Sequence, residues 1–479
     1  MKLVLLWTDL ALWLMVAAGL AYAWRVRSQA HLRATWRRVL RDPVAASAGV
    51  VVALFLGVTL LDSLHLRQAL PGTGGATVYD ARTQSVLDLL LARPLAMREV
   101  SYSVPLGTQG FNKESLIDAQ GQARRDYPRL AHGGAHLRDP ASQWAGDVAR
   151  RAGLGLAAGL ALAALLVALT AAGLARHHLG WRQALADLAA DRTFYPWRAI
   201  LATLAVVLLL AGPVVALMPH YHAFGTDRTG NDVLVQALKS VRTAFVIGAL
   251  STLATLPFAL LLGVLAGYYK GWVDEVIQYL YTTLSSVPNV LLIAACVLMV
   301  QVFFDKNPEL FETAAERSDL KMLMLCLILG LTGWAGLCRL VRAETLKLRE
   351  LDYVQAATAF GVGDLRIMAR HIVPNVMHLV LITVVLSFSE LILYEAVLTY
   401  VGVGVDPVMS SFGSMINLAR AEMSRDPVVW WSFAAAFGFM VALVLAANLF
   451  ADGVRDAFDP KARSSRPRLV PGRKAAEHA

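Results

Sequence analysis

The sequence predicts an all-α, polytopic transmembrane helical bundle. Three observations predict it: the apolar content, the length of the apolar runs and the placement of basic residues around them. Of 479 residues, 57% are hydrophobic, against roughly 45–50% in soluble domains, and mean hydropathy is +0.54. That is more apolar surface than one water-soluble core hides. A hydrocarbon core about 30 Å thick needs about 20 apolar residues per crossing helix, and several stretches meet that length almost free of charge. The formal charge of +9 does not point to nucleic acid. Basic residues fall mainly in short segments beside apolar runs, which is the positive-inside pattern.

Hydropathy places crossing helices near residues 3–23, 45–64, 153–174, 200–217, 245–266, 276–303, 322–341, 376–401 and 428–449. The first run ends in Ala-Trp-Arg-Val-Arg and reads as a retained anchor rather than a signal peptide. Residues 25–41 carry Arg25, Arg27, Arg33, Arg37, Arg38 and Arg41, and the tail after Arg455 is also basic, so both belong on the cytoplasmic side. Nine crossings reconcile the two and put the N-terminus outside. The same parity sends 176–198 and 342–371 inside, and 304–319 and the long polar segment 67–150 outside. That segment is punctuated by Pro-Gly-Thr-Gly-Gly at 71–75. Residues 464–479 mix Pro, Gly, Lys and Arg and read as a disordered tail. Cys296, Cys326 and Cys338 lie in or beside apolar runs without metal or disulfide spacing and read as packing residues.

The most informative cytoplasmic segment is 353–375, YVQAATAFGVGDLRIMARHIVPN. Tyr353 to Phe360 is an alanine-rich helix former. Gly361 and Gly363 allow a turn with positive φ, Asp364 can cap a second short helix, and Pro374 is expected to end it. Small side chains at Ala356, Ala357 and Gly361 let another protein approach the backbone closely. The spacing fits a docking knob, and it also fits an ordinary helical loop. A second segment, 224–245, begins as a polar turn and becomes an amphipathic helix with Leu234, Leu238 and Val241 on one face, the pattern of a helix lying in the outer interface. In a third, residues 394–407, Gly402, Gly404 and Pro407 end an apolar helix in a turn at the outer surface.

These segments resemble the permease subunits of ABC importers of the oligopeptide and dipeptide type. Gln355, Ala356, Ala357, Gly361 and Val373-Pro374 stand where the family's cytoplasmic Glu-Ala-Ala loop has its motif, with Gln355 replacing the acidic residue. Gly225, Thr226, Asp227, Gly230, Asp232 and Arg242 match the family's GTD-x-x-G-R-D segment and the Arg that follows, with Asn231 in place of the usual Arg and Ser240 in place of the usual Gly. Glu395, Ala396, Gly402, Gly404, Val405 and Pro407 match a stretch preceding a re-entrant turn, and Asn448, Asp452, Gly453, Arg455, Asp456, Asp459 and Pro460 match the closing segment. YKGWVDE at 269–275 and LTGWAGLCRLVRAE at 331–344 extend the likeness, which spans nearly everything from Phe224 to Pro460. The N-terminal half departs from it. The family needs one membrane helix there, matched by 33–64, whereas this chain adds three more and a long outer segment.

The resemblance implies an N-terminal extension over 1–218, with its outer segment at about 66–150. It implies a permease core over 219–460 with its coupling loop at about 342–375, and a tail over 461–479. It implies a homologous permease as heterodimer partner, two cytoplasmic ABC ATPases gripping the coupling loops and an extracytoplasmic substrate-binding protein, with membrane lipid around the chain and no nucleic acid. The coupling loop would be Tyr353, Gln355, Ala356, Ala357, Gly361, Asp364 and Pro374. The implied function is import of di- or oligopeptides across the bacterial inner membrane by alternating access. Nickel, glutathione or another small solute is an alternative cargo, and an ion-coupled secondary transporter is an alternative class. No G-x-x-x-x-G-K-S/T, H-E-x-x-H or G-x-S-x-G motif occurs. The chain is therefore expected to bind no cofactor and to leave ATP hydrolysis to partners.

Glu390 and Glu395 fall inside an apolar run, where a carboxylate should face protein or a water-filled cavity. They line a pathway or gate with Gly402, Gly404 and Pro407, or make helix–helix hydrogen bonds, the reading favoured for Glu390. Pro257 and Pro288 mark hinges or simple kinks. His220 and His222 flank Tyr221 without a neighbouring carboxylate or thiol in sequence and read as solvated interfacial side chains rather than metal ligands. Trp430 and Trp431 read as an aromatic belt.

Overall fold

A computed structural model describes residues 2–70, 78–80, 83–117, 123–176, 180–311 and 313–458. The Pro-Gly stretch at 71–75, the matches at Asp459 and Pro460, and the tail lie outside the described residues. The chain opens with β1 (Lys2–Val4), α1 (Trp7–Ser28), the short α2 (Ala30–Val39) and α3 (Pro43–Asp62). The outer segment follows as β2 (His65–Arg67), β3 (Ala69–Leu70), β4 (Val78–Tyr79), β5 (Gln84–Ser85), α4 (Val86–Leu90), α5 (Ala92–Ala96), β6 (Glu114–Ile117) and β7 (Ala123–Asp126). Then come α6 (Pro140–Ala175), α7 (Trp181–Ala189), α8 (Trp197–Leu217), α9 (Val233–Tyr269), α10 (Gly271–Ser286), α11 (Asn289–Lys306) and α12 (Ala314–Arg349). The chain ends its described part with α13 (Asp352–Ala359), α14 (Asp364–Ile367), a π turn (Met368–Ile372), α15 (Val373–Val401), α16 (Phe412–Glu422) and α17 (Trp431–Phe458).

Among the described residues nine helices are long and apolar enough to cross a membrane: α1, α3, α6, α8, α9, α11, α12, the run Asp364–Val401 and α17. Their starts follow local chemistry. Asp42 accepts the N–H of Ala45 with Pro43 in the first turn of α3, and Asp232 accepts those of Leu234 and Val235 at the start of α9, each supplying an acceptor to otherwise orphaned donors. The small strands are confined to the outer face. β1 pairs antiparallel with β2, and β2 with β5, so the chain start and the stretch after α3 lie on one side of the bundle.

The span expected at 276–303 is two helices. Val287 is extended (φ −88°, ψ 133°) because the ring of Pro288 disfavours helix in the residue before it and Pro288 has no N–H to donate. Pro257, by contrast, sits inside α9 without ending it. The helix expected to lie in the interface at 233–245 is instead the outer third of α9. Val233, Leu234, Val235, Ala237, Val241 and Ala244 are buried by protein rather than facing lipid, because the outer segment, α16 and α17 close around them.

The core forms around α9 and α12, whose backbones meet at small residues. A Cβ on Gly263 would lie 2.8 Å from the Cys338 carbonyl oxygen, and one on Gly267 would lie 2.6 Å from Thr345 Cβ. α3 packs between α17 and α9, so a helix from the N-terminal part completes the C-terminal bundle. α6 and α8 form a separate pair beside α3, with Gly155 against Gly212 and Gly159 against Leu208. A Cβ at position 159 would fall 2.6 Å from the Leu208 carbonyl oxygen. Small residues of this kind let membrane helices approach through backbone contact.

Gly159→Leu is expected to overpack this seam at a cost of about 1–3 kcal/mol, read as a lower melting temperature of the detergent-solubilised chain. Gly146→Leu, where nothing lies within 4 Å of the added carbon, is expected to leave melting unchanged. Equal melting of the two variants would contradict the close pairing.

Candidate functional site

Arg242 is a buried cation near the outer end of α9, with its side chain 5% exposed. Its Nη2 donates to Asp9 Oδ1 at 2.6 Å and to Thr8 Oγ1 at 3.2 Å, and lies 3.7 Å from Asp319 Oδ1. Asp319 also accepts the backbone N–H of Thr8 at 2.9 Å and the Thr8 hydroxyl, while Asp9 Oδ2 meets His65 Nδ1 at 2.7 Å. One cluster thus ties α1, α9, α12 and the start of the outer segment together. Of its members the sequence singled out Arg242 alone. The missed signal was two carboxylates placed near the ends of apolar runs, where charge is costly unless paired.

The GTD segment forms a tight outer turn before α9. Gly225 (φ +71°) and Gly230 (φ +76°) take left-handed backbone. They also let residues 99–103 come in contact: a Cβ on Gly225 would fall 2.5 Å from the Ser103 carbonyl oxygen, and one on Gly230 would fall 1.8 Å from that of Glu99. Thr226 accepts the Ser103 N–H at 2.6 Å and donates to the Ser101 carbonyl at 2.8 Å. Asp227 folds the turn by accepting the N–H groups of Thr229 and Asn231. Trp431 is buried and donates its indole N–H to the Thr226 carbonyl at 2.9 Å. It therefore anchors this turn, and only the exposed Trp430 keeps the character of a belt residue.

His222 is not solvated. It is 1% exposed, with Nδ1 2.9 Å from Asp232 Oδ2 and Nε2 in ionic contact 3.5 Å from Glu99 Oε1. Glu99 in turn accepts the backbone N–H groups of Ala131, His132 and Gly133. The carboxylates were invisible in sequence because Glu99 lies in the outer segment and Asp232 serves also as a helix cap. Burial works against charging the His222 ring, yet Asp232 and Glu99 outweigh it and raise its pKa to about 9. Burial likewise works against the Glu99 carboxylate, but His222 and the three N–H groups carry it down to about 2. His220 stands apart, its Nδ1 3.2 Å from Arg151 Nη1. Among the described residues no group of three or more His, Cys, Asp or Glu side chains could hold a metal.

At the opposite end of the bundle, 353–375 makes a helix–turn–helix knob. Gly361 turns the chain at φ +75°, with open space where its Cβ would be. Val354, Ile367, Met368 and Ile372 bury the knob's base, while Phe360 and Leu365 stay 88% and 76% exposed. Gln355 and Ala356 are exposed and Ala357 is half-buried. Tyr353 accepts from the Asn375 side chain at 3.2 Å. Two expectations change. Gly363, not Asp364, holds the N-cap position of α14, and the Asp364 carboxylate instead accepts the Tyr268 hydroxyl of α9 at 2.8 Å. Pro374 does not end a helix. It sits in the first turn of α15, and the π turn before it joins α14 and α15 into one run. Arg349 donates to the Tyr268 carbonyl, and Arg342 grips Asp274 with two bonds of 2.6 Å, joining the 269–275 and 331–344 segments.

On α15, Glu395 is fully buried and accepts the Thr399 hydroxyl at 2.8 Å, whereas Glu390 is exposed on the helix surface. Gly402 caps α15 in the left-handed region (φ +92°). A Cβ on Gly404 would collide with Thr399, 1.8 Å from its Oγ1. Gly402, Gly404 and Pro407 line an outer cavity of about 690 Å³, while Glu390 and Glu395 do not.

Two outcomes follow from the polar clusters. The His222 contribution is complete below pH 6.5 and lost as pH rises through about 9, and that of Glu99 is complete above pH 4.5 and lost as pH falls through about 2. Hydrogen exchange at 99–103 and 222–232, corrected for intrinsic rates, should stay slow between pH 4.5 and 6.5 and accelerate above pH 9 in wild type. A pH-independent profile would contradict the pairing. Asp9→Ala should cost about 3–5 kcal/mol by stripping a buried guanidinium of its nearest carboxylate, with melting partly restored by adding Arg242→Met. Melting unchanged in Asp9→Ala would contradict the cluster.

Residues 259–464 match the family described as Binding-protein-dependent transport system inner membrane component. The Oligopeptide transport system permease protein OppC of Mycobacterium tuberculosis H37Rv is 31% identical over 294 residues, covering 57% of this chain and 94% of that protein. That leaves more than two fifths of this chain without a counterpart in it. OppC of Escherichia coli K12 is 30% identical over 242 residues, 50% of this chain and 73% of that protein. The Glutathione transport system permease protein GsiD of Pectobacterium atrosepticum is 31% identical over 245 residues, 51% of this chain and 74% of that protein. A solved chain of the MetNI methionine ABC transporter aligns with 47% of this chain at 15% identity and a TM-score of 0.35, too low to weigh. With nine apolar helices among the described residues and an alignment running through nearly the whole of a relative, the chain belongs to the inner membrane component family of binding-protein-dependent transport systems, as a multi-pass permease subunit of a bacterial ABC importer.

Proposed function

We propose that the chain forms half of the transmembrane pathway of an importer for di- or oligopeptides, paired with a homologous permease. Two cytoplasmic ATPases drive it and an extracytoplasmic binding protein delivers the cargo. The observation that carries this reading is the inner knob. Phe360 and Leu365 project from a rigid base into open space. Large apolar side chains displayed in this way on a polar, basic face suit insertion into a cleft on another protein.

The base is fixed to the bundle at Tyr268, Arg349 and Asp364, so movement of a partner ATPase would be passed to α9 and α12 rather than absorbed in a loose loop. ATP closes the ATPase pair, the knobs follow, and the bundle rocks between outward and inward openings. In thermodynamic terms the partner's nucleotide state biases a two-state packing. The chain has no phosphate-binding G-x-x-x-x-G-K-S/T of its own and, in this reading, binds no cofactor. Peptide cargo is supported by the OppC relatives, and glutathione, itself a small peptide, by GsiD.

Gly361→Trp places a bulky side chain at a left-handed position facing the docking side. It is expected to leave membrane insertion intact and to reduce peptide-stimulated ATP hydrolysis by the reconstituted complex at least tenfold, a loss of about 1.4 kcal/mol or more of coupling. Wild-type stimulation in that variant would count against docking at the knob.

A further inference from the structure

The outer cavity of about 690 Å³ is walled on one side by the N-terminal extension. Pro94, Leu95, Met97 and Arg98 face it, opposite the end of α15 and the 402–410 loop, with the GTD turn, α9, α11, α12 and α16 closing the remainder. Its size falls in the range of about 300–1,000 Å³ that holds small organic ligands. Most charges on its lining are already paired. Lys239 reaches Asp88 at 2.6 Å and Lys321 reaches Asp406 at 3.0 Å. Asp227 is committed to its own turn and Asp232 to His222 and the start of α9.

Arg98 differs. Its Nε donates to the Thr229 carbonyl at 3.0 Å, which holds the guanidinium against the GTD turn. Among the described residues no hydrogen bond or ion pair engages its terminal nitrogens. Anchored at Nε, the group keeps its two-pronged edge for a ligand, and a guanidinium edge matches a carboxylate with two parallel hydrogen bonds. The backbone beneath it is equally fixed, since the next residue, Glu99, is held by three N–H groups and His222.

We propose that this cavity is a cargo-binding vestibule and that Arg98, supplied by the extension, receives a carboxylate of the cargo, such as the free C-terminus of a short peptide. The inference rests on the importer reading and adds to it a specificity-determining residue outside the segments shared with the family. It gives the extension a role in selection: a permease whose vestibule wall ends in a fixed guanidinium retains an acid in preference to its amide.

The test is equilibrium dialysis of radiolabelled tri-alanine and tri-alanine amide against the full chain in nanodiscs, for wild type, Arg98→Gln and Arg98→Lys. Wild type should retain the acid about tenfold or more tightly than the amide, as a charge-assisted pair implies. Arg98→Gln should erase the preference and Arg98→Lys should keep part of it. Failure of wild type to retain or to discriminate the two peptides overturns the inference, and so does a preference that survives in Arg98→Gln. Should Arg98→Gln not yield a monodisperse nanodisc, Arg98→Lys with undiminished wild-type preference overturns it equally. ATP-driven uptake by the complete complex is measured alongside. Uptake without Arg98-dependent retention sinks only this inference, whereas no uptake sinks the importer reading beneath it.

Discussion

A guanidinium buried near the outer end of a membrane helix is tolerable only if carboxylates come to it, and Arg242 imposes that condition on the rest of the bundle. Asp319 arrives on α12, the helix that shares the longest seam with α9. Asp9 arrives on α1. Its second oxygen is held by His65 at the foot of the outer segment, so one pairing fixes the start of the chain, the outer segment and the core at once. Leu12, one turn further along α1, is fully buried against Val246, Ile247 and Leu250. The additional N-terminal residues are therefore built into the permease rather than hung beside it. The α6–α8 pair is the exception, held mainly through α3.

The second polar cluster extends the same logic above the membrane. Asp232 does two jobs, ending the outer turn by capping α9 and holding a charged His222 whose other side faces Glu99. Since α9 runs unbroken over 37 residues, about 55 Å at helical rise, the cluster at its start and the knob at its end sit on one rod. Tyr268 holds Asp364 of the knob, while Arg349 binds the backbone of that same tyrosine. The physical content of coupling here is continuity: neither end of α9 is attached through a flexible joint.

Much of this was legible in the sequence because hydropathy reports what lipid demands, and the nine expected spans correspond to nine apolar helices among the described residues. Hydropathy does not register a missing N–H, which is why Pro288 divides a run that reads as continuous. Nor does it register burial by protein, which is why the outer third of α9 reads as an interfacial helix. Gly361 and Gly363 stood out because left-handed backbone favours glycine; Gly361 adopts it, whereas Gly363 is extended (φ −62°, ψ 144°) as the residue that starts α14. Gly225, Gly230 and Gly402, noted for their place in the family's segments or at a helix end, are left-handed as well. Charge partners were the least legible. Asp9 and Arg242 are separated by 233 positions, and Trp431 meets Thr226 across 205. Such pairings follow from topology, to which spacing along the chain is blind.

The knob and the outer segment that carries residues 99–103 lie on opposite faces of the membrane, and side-specific labelling tests this most directly. Phe360→Cys and Val100→Cys, each in a Cys296→Ser background, place thiols at positions 88% and 84% exposed; of the native cysteines Cys296 is half-buried, while Cys326 and Cys338 are buried. With a membrane-impermeant maleimide, position 360 should react only in inside-out vesicles and position 100 only in right-side-out vesicles. Reaction of both from the same side, or of position 360 from outside the cell, would contradict the account.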